Sequence, residues 1–265
     1  MIASLKGVVA LTDVSTAQWR LGRLGELNRV DVFVRRNFSR ESVLGEIQSI
    51  LGDNFDCRSL KEFPGAPTVV EDSGTFAGNA TRKGVEIARW LGRISSSESE
   101  IPGSGAYVLA DDSGLEVDAL HGAPGVNSAR FAALDGSDLP VVNTPDTANN
   151  SKLLRLLENI PGEKRTARFR CLLALTPFSD SRHETASPVC YADASELQTE
   201  LFEGICEGRI QFAPTGAGGF GYDPLFIPLG YEQSFAELGE DVKNRISHRA
   251  RALQKLKRWF PGQRV

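Results

Sequence analysis

The chain has 265 residues, 41% of them hydrophobic and 24% charged, with 26 glycines and a formal net charge of −4. That is the composition of a soluble globular protein large enough for a sizeable core. The negative balance supplies no general field for duplex nucleic acid or an anionic membrane, and no apolar run reaches the roughly 18 to 20 residues of a membrane span. No nucleic-acid or membrane partner is therefore expected, and any anionic ligand must be met by a local group of cations or by a metal. The four cysteines, Cys57, Cys171, Cys190 and Cys206, form no C-x-x-C pair, which points to buried thiols in a reducing compartment. Residues 1–29 carry Lys6, Arg20, Arg23 and Arg29 against Asp13 and Glu26, faintly like an organelle transit peptide, but without the apolar core of a secretory signal. A cytoplasmic protein with an N-terminal extension over 1–29 and one domain over 30–265 is the expectation.

Val30 to Val34 alternates as a strand does, and Val43, Leu44, Ile47, Ile50 and Leu51 have helical spacing over Glu41 to Leu51. A second helix is expected from Thr75 to Leu91, burying Phe76, Ala80, Ile87 and Leu91, with Thr75 or Ser73 as its cap. The polar stretch from Ser95 to Gly105 reads as a surface loop. Tyr107-Val108-Leu109-Ala110 reads as a buried strand end, followed by a tight turn at Asp111-Asp112-Ser113-Gly114. Thr147 to Ile160 is expected to be a helix stopped by Pro161-Gly162; Thr166 to Leu175, Val189 to Leu201 and Gly204 to Phe212 are β-rich; Lys243 to Phe260 is read as one last helix. The pattern predicts an α/β fold with a mixed sheet in two lobes and a cleft between them.

Three stretches carry candidate chemistry. In an extended strand adjacent residues face opposite ways, so of Asp111 and Asp112 one is the working acid and the other is left to accept backbone N–H groups in the turn. Asp-Asp-Ser-Gly is also ordinary turn chemistry. Pro214 to Pro224 places four glycines around Phe220 and Tyr222; glycine allows close approach to a ligand and an aromatic ring offers a face to a base, although a plain hairpin explains the glycines equally well. Asp241 to Arg251 opens the last helix with cations where the macrodipole disfavours them, which suits a bound anion or polar ligand as much as a solvated basic face. Glu71 and Asp72 stand ahead of the second helix, either as caps or as ligands for a hard cation shared with Asp112.

Taken in order, ADDSGLEVDALHGAPGVNSARFA, PTGAGGFGYDPLFIP and KNRISHRARAL resemble the Ham1/RdgB inosine triphosphate pyrophosphatase family, and the likeness runs from about Asp31 to Leu256. The resemblance implies a nucleotide-binding cleft between the lobes and the conversion of non-standard purine nucleoside triphosphates (ITP, dITP, XTP) to monophosphate and pyrophosphate. It implies Mg²⁺ as cofactor and a homodimer. It makes Asp112 the essential acid, as general base and Mg²⁺ ligand, with Glu71 as a second metal carboxylate. Ser113 becomes a substrate contact, Phe220, Gly221, Tyr222 and Asp223 the nucleotide-binding loop, Lys243 a substrate lysine, and His248 and Arg249 the pair at the purine. Arg249 and backbone N–H groups, being donors only, suit the O6 acceptor of hypoxanthine or xanthine.

The likeness thins on the phosphate side. The family's first strand ends in (S/T)-x-N-x-x-K; the counterpart here is Arg35-Arg36-Asn37-Phe38-Ser39-Arg40, which keeps Asn37 and offers Arg40 for the lysine. Guanidinium and ammonium differ in bulk and geometry. Gly78 also stands where the family usually has glutamate. These departures keep a degenerate nucleotide-binding protein with weak or no turnover as an alternative, beside a Maf-like pyrophosphatase of different base preference.

Overall fold

The computed structural model describes residues 30–34, 40–52, 55–63, 65–94, 107–135, 143–177 and 198–260. The expectations for residues 1–29, for Asn37 and for Val189 to about 197 lie outside them. The elements are β1 (Val30–Val34), α1 (Arg40–Leu51), β2 (Phe55–Ser59), α2 (Phe76–Ile94), β3 (Tyr107–Val117), α3 (Asp146–Leu156), β4 (Thr166–Pro177), β5 (Glu200–Ile210), β6 (Phe226–Pro228), α4 (Phe235–Leu238), α5 (Glu240–Ile246) and α6 (His248–Trp259). The strands form one sheet in the order β2-β1-β3-β4-β5-β6. β1 runs parallel to β2 and to β3, whereas β5 and β6 are antiparallel, so the sheet is mixed and the fold is α/β, as the pattern predicts.

The chain divides into two compact units. One comprises 1–111, 172–202 and 253–265; the other comprises 112–171 and 203–252. The strands change character at these boundaries. Every residue of β3 up to Asp112 is buried, and beyond it Ser113 and Glu116 are half-buried. β4 alternates over its first half and is buried throughout from Cys171 onward. A strand covered on both faces needs a continuous apolar run, while one covered on a single face needs alternation.

In the first unit Gly84 lets α2 lie close to the sheet: a Cβ there would be 2.4 Å from Thr176 Oγ1 and 3.8 Å from the Ala110 Cβ. Phe260 meets the rings of Phe55 and Tyr107 at 5.3 and 6.1 Å. In the second unit Leu115, Val117, Leu153, Leu157, Phe169, Tyr222, Phe226 and Phe235 share one core. Across the other side of its strands Arg168 pairs with Asp118 and Glu207, and Arg170 with Glu116 and Glu203. Among the described residues no disulfide forms, and no helix is long and apolar enough to cross a membrane.

Four local expectations need correction. Asp111-Asp112-Ser113-Gly114 is not a turn but the middle of the 11-residue strand β3; ladder pairing outweighs the turn preference of Asp, Ser and Gly, which is a weak local bias. α3 ends at Leu156, four residues before the expected stop, because Leu157 to Ile160 closes in a tighter turn. The strand expected from Gly204 begins at Glu200. The last helix is two, broken at Ser247.

Candidate functional site

The strand geometry of β3 settles the Asp111 and Asp112 argument in part: in extended backbone their side chains point to opposite faces. Both are buried, at 2% and 7% exposure. Asp111 does not use a turn; its carbonyl oxygen accepts a 2.7 Å hydrogen bond from Lys83 Nζ. Lys83 also lies 3.5 Å from Glu71 Oε1, so the candidate metal carboxylate Glu71 is joined through a buried lysine to the backbone of the aspartate strand. Sequence reasoning passed over Lys83, although it sits with Phe76, Ala80, Ile87 and Leu91 on the buried stripe of α2. A charge on an apolar stripe is the signal that marks it, since an ammonium is seldom buried without partners.

Glu71 and Asp72 do not cap α2. Thr75 does, through Gly78 N–H to Thr75 Oγ1 at 3.1 Å, while Asp72 pairs with Arg82 and Asn79 Oδ1 accepts the Ser73 N–H at 2.9 Å. Gly78 is tightly enclosed: a Cβ there would fall 2.0 Å from Ser73 Oγ. The missing glutamate is thus matched to the local packing of Ser73. A pocket of about 810 Å³ opens beside this turn, lined by Ser73, Gly78, Thr81, Arg82, Glu86 and Arg89 among others. Arg40 is the first residue of α1; its side chain, like Asn37, is outside the described residues.

In the second unit the structure brings together several residues singled out from the sequence. The stretch 214–224 lies in the connection between the antiparallel strands β5 and β6, so it is a hairpin loop. The loop is nonetheless tied down residue by residue. Phe220 N–H donates to Asp223 Oδ2 at 2.9 Å, and Gly221 N–H to Asp146 Oδ2 at 2.7 Å. Asn150 Nδ2 donates to the Gly221 carbonyl at 3.0 Å, and Tyr222 Oη to the Ser128 carbonyl at 2.9 Å. Asp223 N–H turns back to the Phe220 carbonyl. Asp223 also forms a buried ion pair with Lys243, whose ammonium lies 4.2 Å from the centre of the Phe220 ring. Burial, helped by the nearby Asp146 carboxylate, pushes the Tyr222 phenol well above its ordinary value; it stays protonated and serves as a hydrogen-bond donor.

Ser247 explains the broken helix. Its N–H ends α5 on the Lys243 carbonyl at 2.9 Å, and its Oγ accepts the Ala250 N–H at 3.0 Å, the geometry of a serine N-cap. The expected clash of cations with the macrodipole is thereby corrected for part of the run. Glu240 and Asp241 occupy the first turn of α5, and Lys243 and Arg245 its last, the arrangement the dipole favours. The conflict remains at His248 and Arg249, which open α6. Arg249 is wholly buried, its guanidinium carbon 5.9 Å from the Phe220 ring centre, and the His248 ring stacks on Phe169 at 4.9 Å and 14°. Gly204 permits this: a Cβ there would be 1.9 Å from the His248 carbonyl oxygen.

The two units therefore divide the candidates. Glu71, Lys83 and Asp111 belong to one; Asp112, Ser113, the 220–223 loop, Lys243, His248 and Arg249 belong to the other. Three of the loop's N–H groups already have partners, those of Phe220 and Asp223 within the loop and that of Gly221 on Asp146. Among the described residues no group of three or more His, Cys, Asp or Glu side chains could hold a metal. The carboxylate oxygens of Asp112 and Glu71 are hard donors of the kind Mg²⁺ takes one or two at a time, its other positions going to water and phosphate oxygens. Each carboxylate by itself is a donor of the type that ion takes.

Comparison with known proteins identifies relatives of the whole chain. The model of the Ham1 family matches residues 41–259. A dITP/XTP pyrophosphatase of Opitutus terrae is 44% identical over 201 residues, 76% of this chain and 81% of that protein. One from Desulforamulus reducens is 44% identical over 224 residues, 84% of this chain and 92% of that protein. Among solved structures, a HAM1 protein from Coxiella burnetii aligns with a TM-score of 0.63 and 31% identity, covering 86% of this chain and 97% of that one. The Staphylococcus aureus Ham1 protein gives 0.63 and 29%, covering 88% and 100%.

Proposed function

The chain belongs to the Ham1 family, and from that premise we propose that it hydrolyses non-standard purine nucleoside triphosphates, ITP, dITP and XTP, to the monophosphate and pyrophosphate. The observation that carries this reading is the assembly in one unit of a tied aromatic loop, the buried Asp223–Lys243 pair and the buried Arg249 at the head of α6. Arg249 only donates hydrogen bonds, so it suits a 6-oxo purine and opposes the 6-amino group of adenine. Asp112 orients or deprotonates the attacking water, and no covalent nucleophile is needed. Phe220 and the residues after it receive the base; Lys243, Ser113 and His248 are further substrate contacts. Asn37 and Arg40 take the phosphates in the family's manner.

Asp112 is the carboxylate we assign to Mg²⁺, with Glu71, held by Lys83 in its own unit, as the second candidate. The ion supplies charge neutralisation on the triphosphate and on the leaving pyrophosphate. We further propose that residues 30–265 work as one nucleotide pyrophosphatase domain, that the protein is a homodimer, and that it acts in the cytoplasm, where it clears such nucleotides from the pool.

Pyrophosphate release from ITP, dITP, XTP, dATP and GTP, with and without Mg²⁺ and beside Asp112→Asn, tests the reading. Fast release from the 6-oxo substrates without the 2-amino group, lost on chelation and in the variant, is the expected result. ITP binding without turnover would instead mark a degenerate binder, and preference for other bases a Maf-like specificity.

A further inference from the structure

α3 has Pro145 as its N-cap and no side-chain cap, and its first residue is Asp146, where the helix dipole favours a carboxylate. Asp146 Oδ2 accepts the N–H of Gly221, 75 positions along the chain, at 2.7 Å. One turn further on, Asn150 donates Nδ2 to the carbonyl of the same glycine at 3.0 Å. Residues i and i+4 share a helix face, so one edge of α3 grips both polar groups of a single peptide unit pair. Asn150 Oδ1 is buried and without a hydrogen-bond partner among the described residues, which leaves the grip on Gly221 as the bond this side chain makes.

Gly221 has φ +62, the left-handed region, and stands between the two rings of the loop. Fixing its N–H sets the peptide plane that joins it to Phe220; fixing its carbonyl sets the plane that joins it to Tyr222. We infer that Asp146 and Asn150 are positioning residues that preset the 220–223 loop for the purine of the substrate. They act through Gly221 and do not touch the base themselves. The inference rests on the proposed function. It adds a consequence: the Gly221 N–H is already spent on Asp146, so it is withheld from the base.

The test compares Asp146→Ala, Asp146→Asn, Asn150→Ala and the wild-type protein. Asparagine at 146 keeps a side-chain oxygen to accept the Gly221 N–H. Asp146→Ala is expected to raise KM for ITP about tenfold with kcat changed less than about twofold, since one hydrogen bond to a charged group corresponds to roughly a factor of ten in binding. The kcat/KM ratio of ITP over dATP should fall as the loop loosens, and Asp146→Asn should restore both. Asn150→Ala should show the same split at smaller size. Amide exchange at Gly221, read without any nucleotide, should accelerate in the alanine variants and not in Asp146→Asn. Unchanged KM, selectivity and Gly221 exchange in a folded Asp146→Ala protein would overturn the inference while leaving the pyrophosphatase reading intact. A wild-type protein that neither binds nor turns over ITP would remove that reading, and the inference with it.

Discussion

The two units meet the same problem, holding charged groups away from water, in different ways. In the unit of Glu71, Lys83 and Asp111, one buried lysine links a carboxylate at 3.5 Å to a backbone carbonyl at 2.7 Å. In the unit of the 220–223 loop, charge and backbone are woven together: Asp223 serves both Lys243 and Phe220 N–H, and α3 holds Gly221 from outside the loop. On the proposed function, the second arrangement suits discrimination between purines and the first a flexible triphosphate recognised mainly by its oxygens.

The most severe way to break that comparison is at the strand that carries both aspartates. Asp112→Asn is expected to lower pyrophosphate release from ITP by at least about a hundredfold, the usual scale for removing a general base; an active variant would transfer the role elsewhere. Lys243→Met leaves Asp223 buried without its cation and should destabilise the protein by about 3–5 kcal/mol, measured by denaturant unfolding. The double variant Asp223→Asn with Lys243→Met should recover most of that loss, because the cost lies in the stranded charge.

Two glycines sharpen the contrast between the units. Gly204→Ala drives a Cβ to 1.9 Å from a backbone carbonyl, which cannot rotate away, and should cost about 3 kcal/mol or more with a weakened response to ITP. Gly84→Ala in α2 meets the Thr176 hydroxyl at 2.4 Å, which can turn, and alanine favours the helix by about 1 kcal/mol. Its net cost should be the smaller by at least about 1 kcal/mol; equal costs would mean that the Thr176–Thr199 hydrogen bond at 3.0 Å holds the hydroxyl rigid.

The smallest effect expected is one of pH. The Thr215 hydroxyl, with Ser234 behind it, holds Glu237 below its ordinary carboxylate value of 4.5. A depressed folded value means stability that is present above 4.5 and lost as pH falls through the lower folded value. Glu237→Gln should therefore lower the melting temperature slightly at neutral pH and show a flatter decline in acid, the two proteins converging below the folded value. Parallel curves from pH 7 to 3 would remove Glu237 from the acid response.

How much could be read from the sequence followed the range of each signal. The apolar periodicity of α1 and α2, the strands β1 and β4, and the three motif blocks were legible because each is written in consecutive residues. Ser247 was legible in principle, as a serine ahead of a helical run, but the continuous stripe from Ile246 to Phe260 hid the break. Asp111-Asp112-Ser113-Gly114 read as a turn, since its local preferences point that way; the ladder on both sides decided otherwise.

By itself, then, the sequence determined the α/β pattern, the family and the residues offered for chemistry. Tertiary structure alone decided that Lys83 reaches Asp111, that Asp223 is bound to Lys243, and that Asp146 and Asn150 hold Gly221. Those partners lie 20 to 75 positions apart. A side chain's local propensity is worth a fraction of a kcal/mol, about 0.7 or less for ordinary residues in a helix, whereas a buried charge or peptide group left unpaired costs roughly 1–3 kcal/mol or more. The fold therefore settles which distant groups satisfy one another, and periodicity along the chain carries no record of that choice.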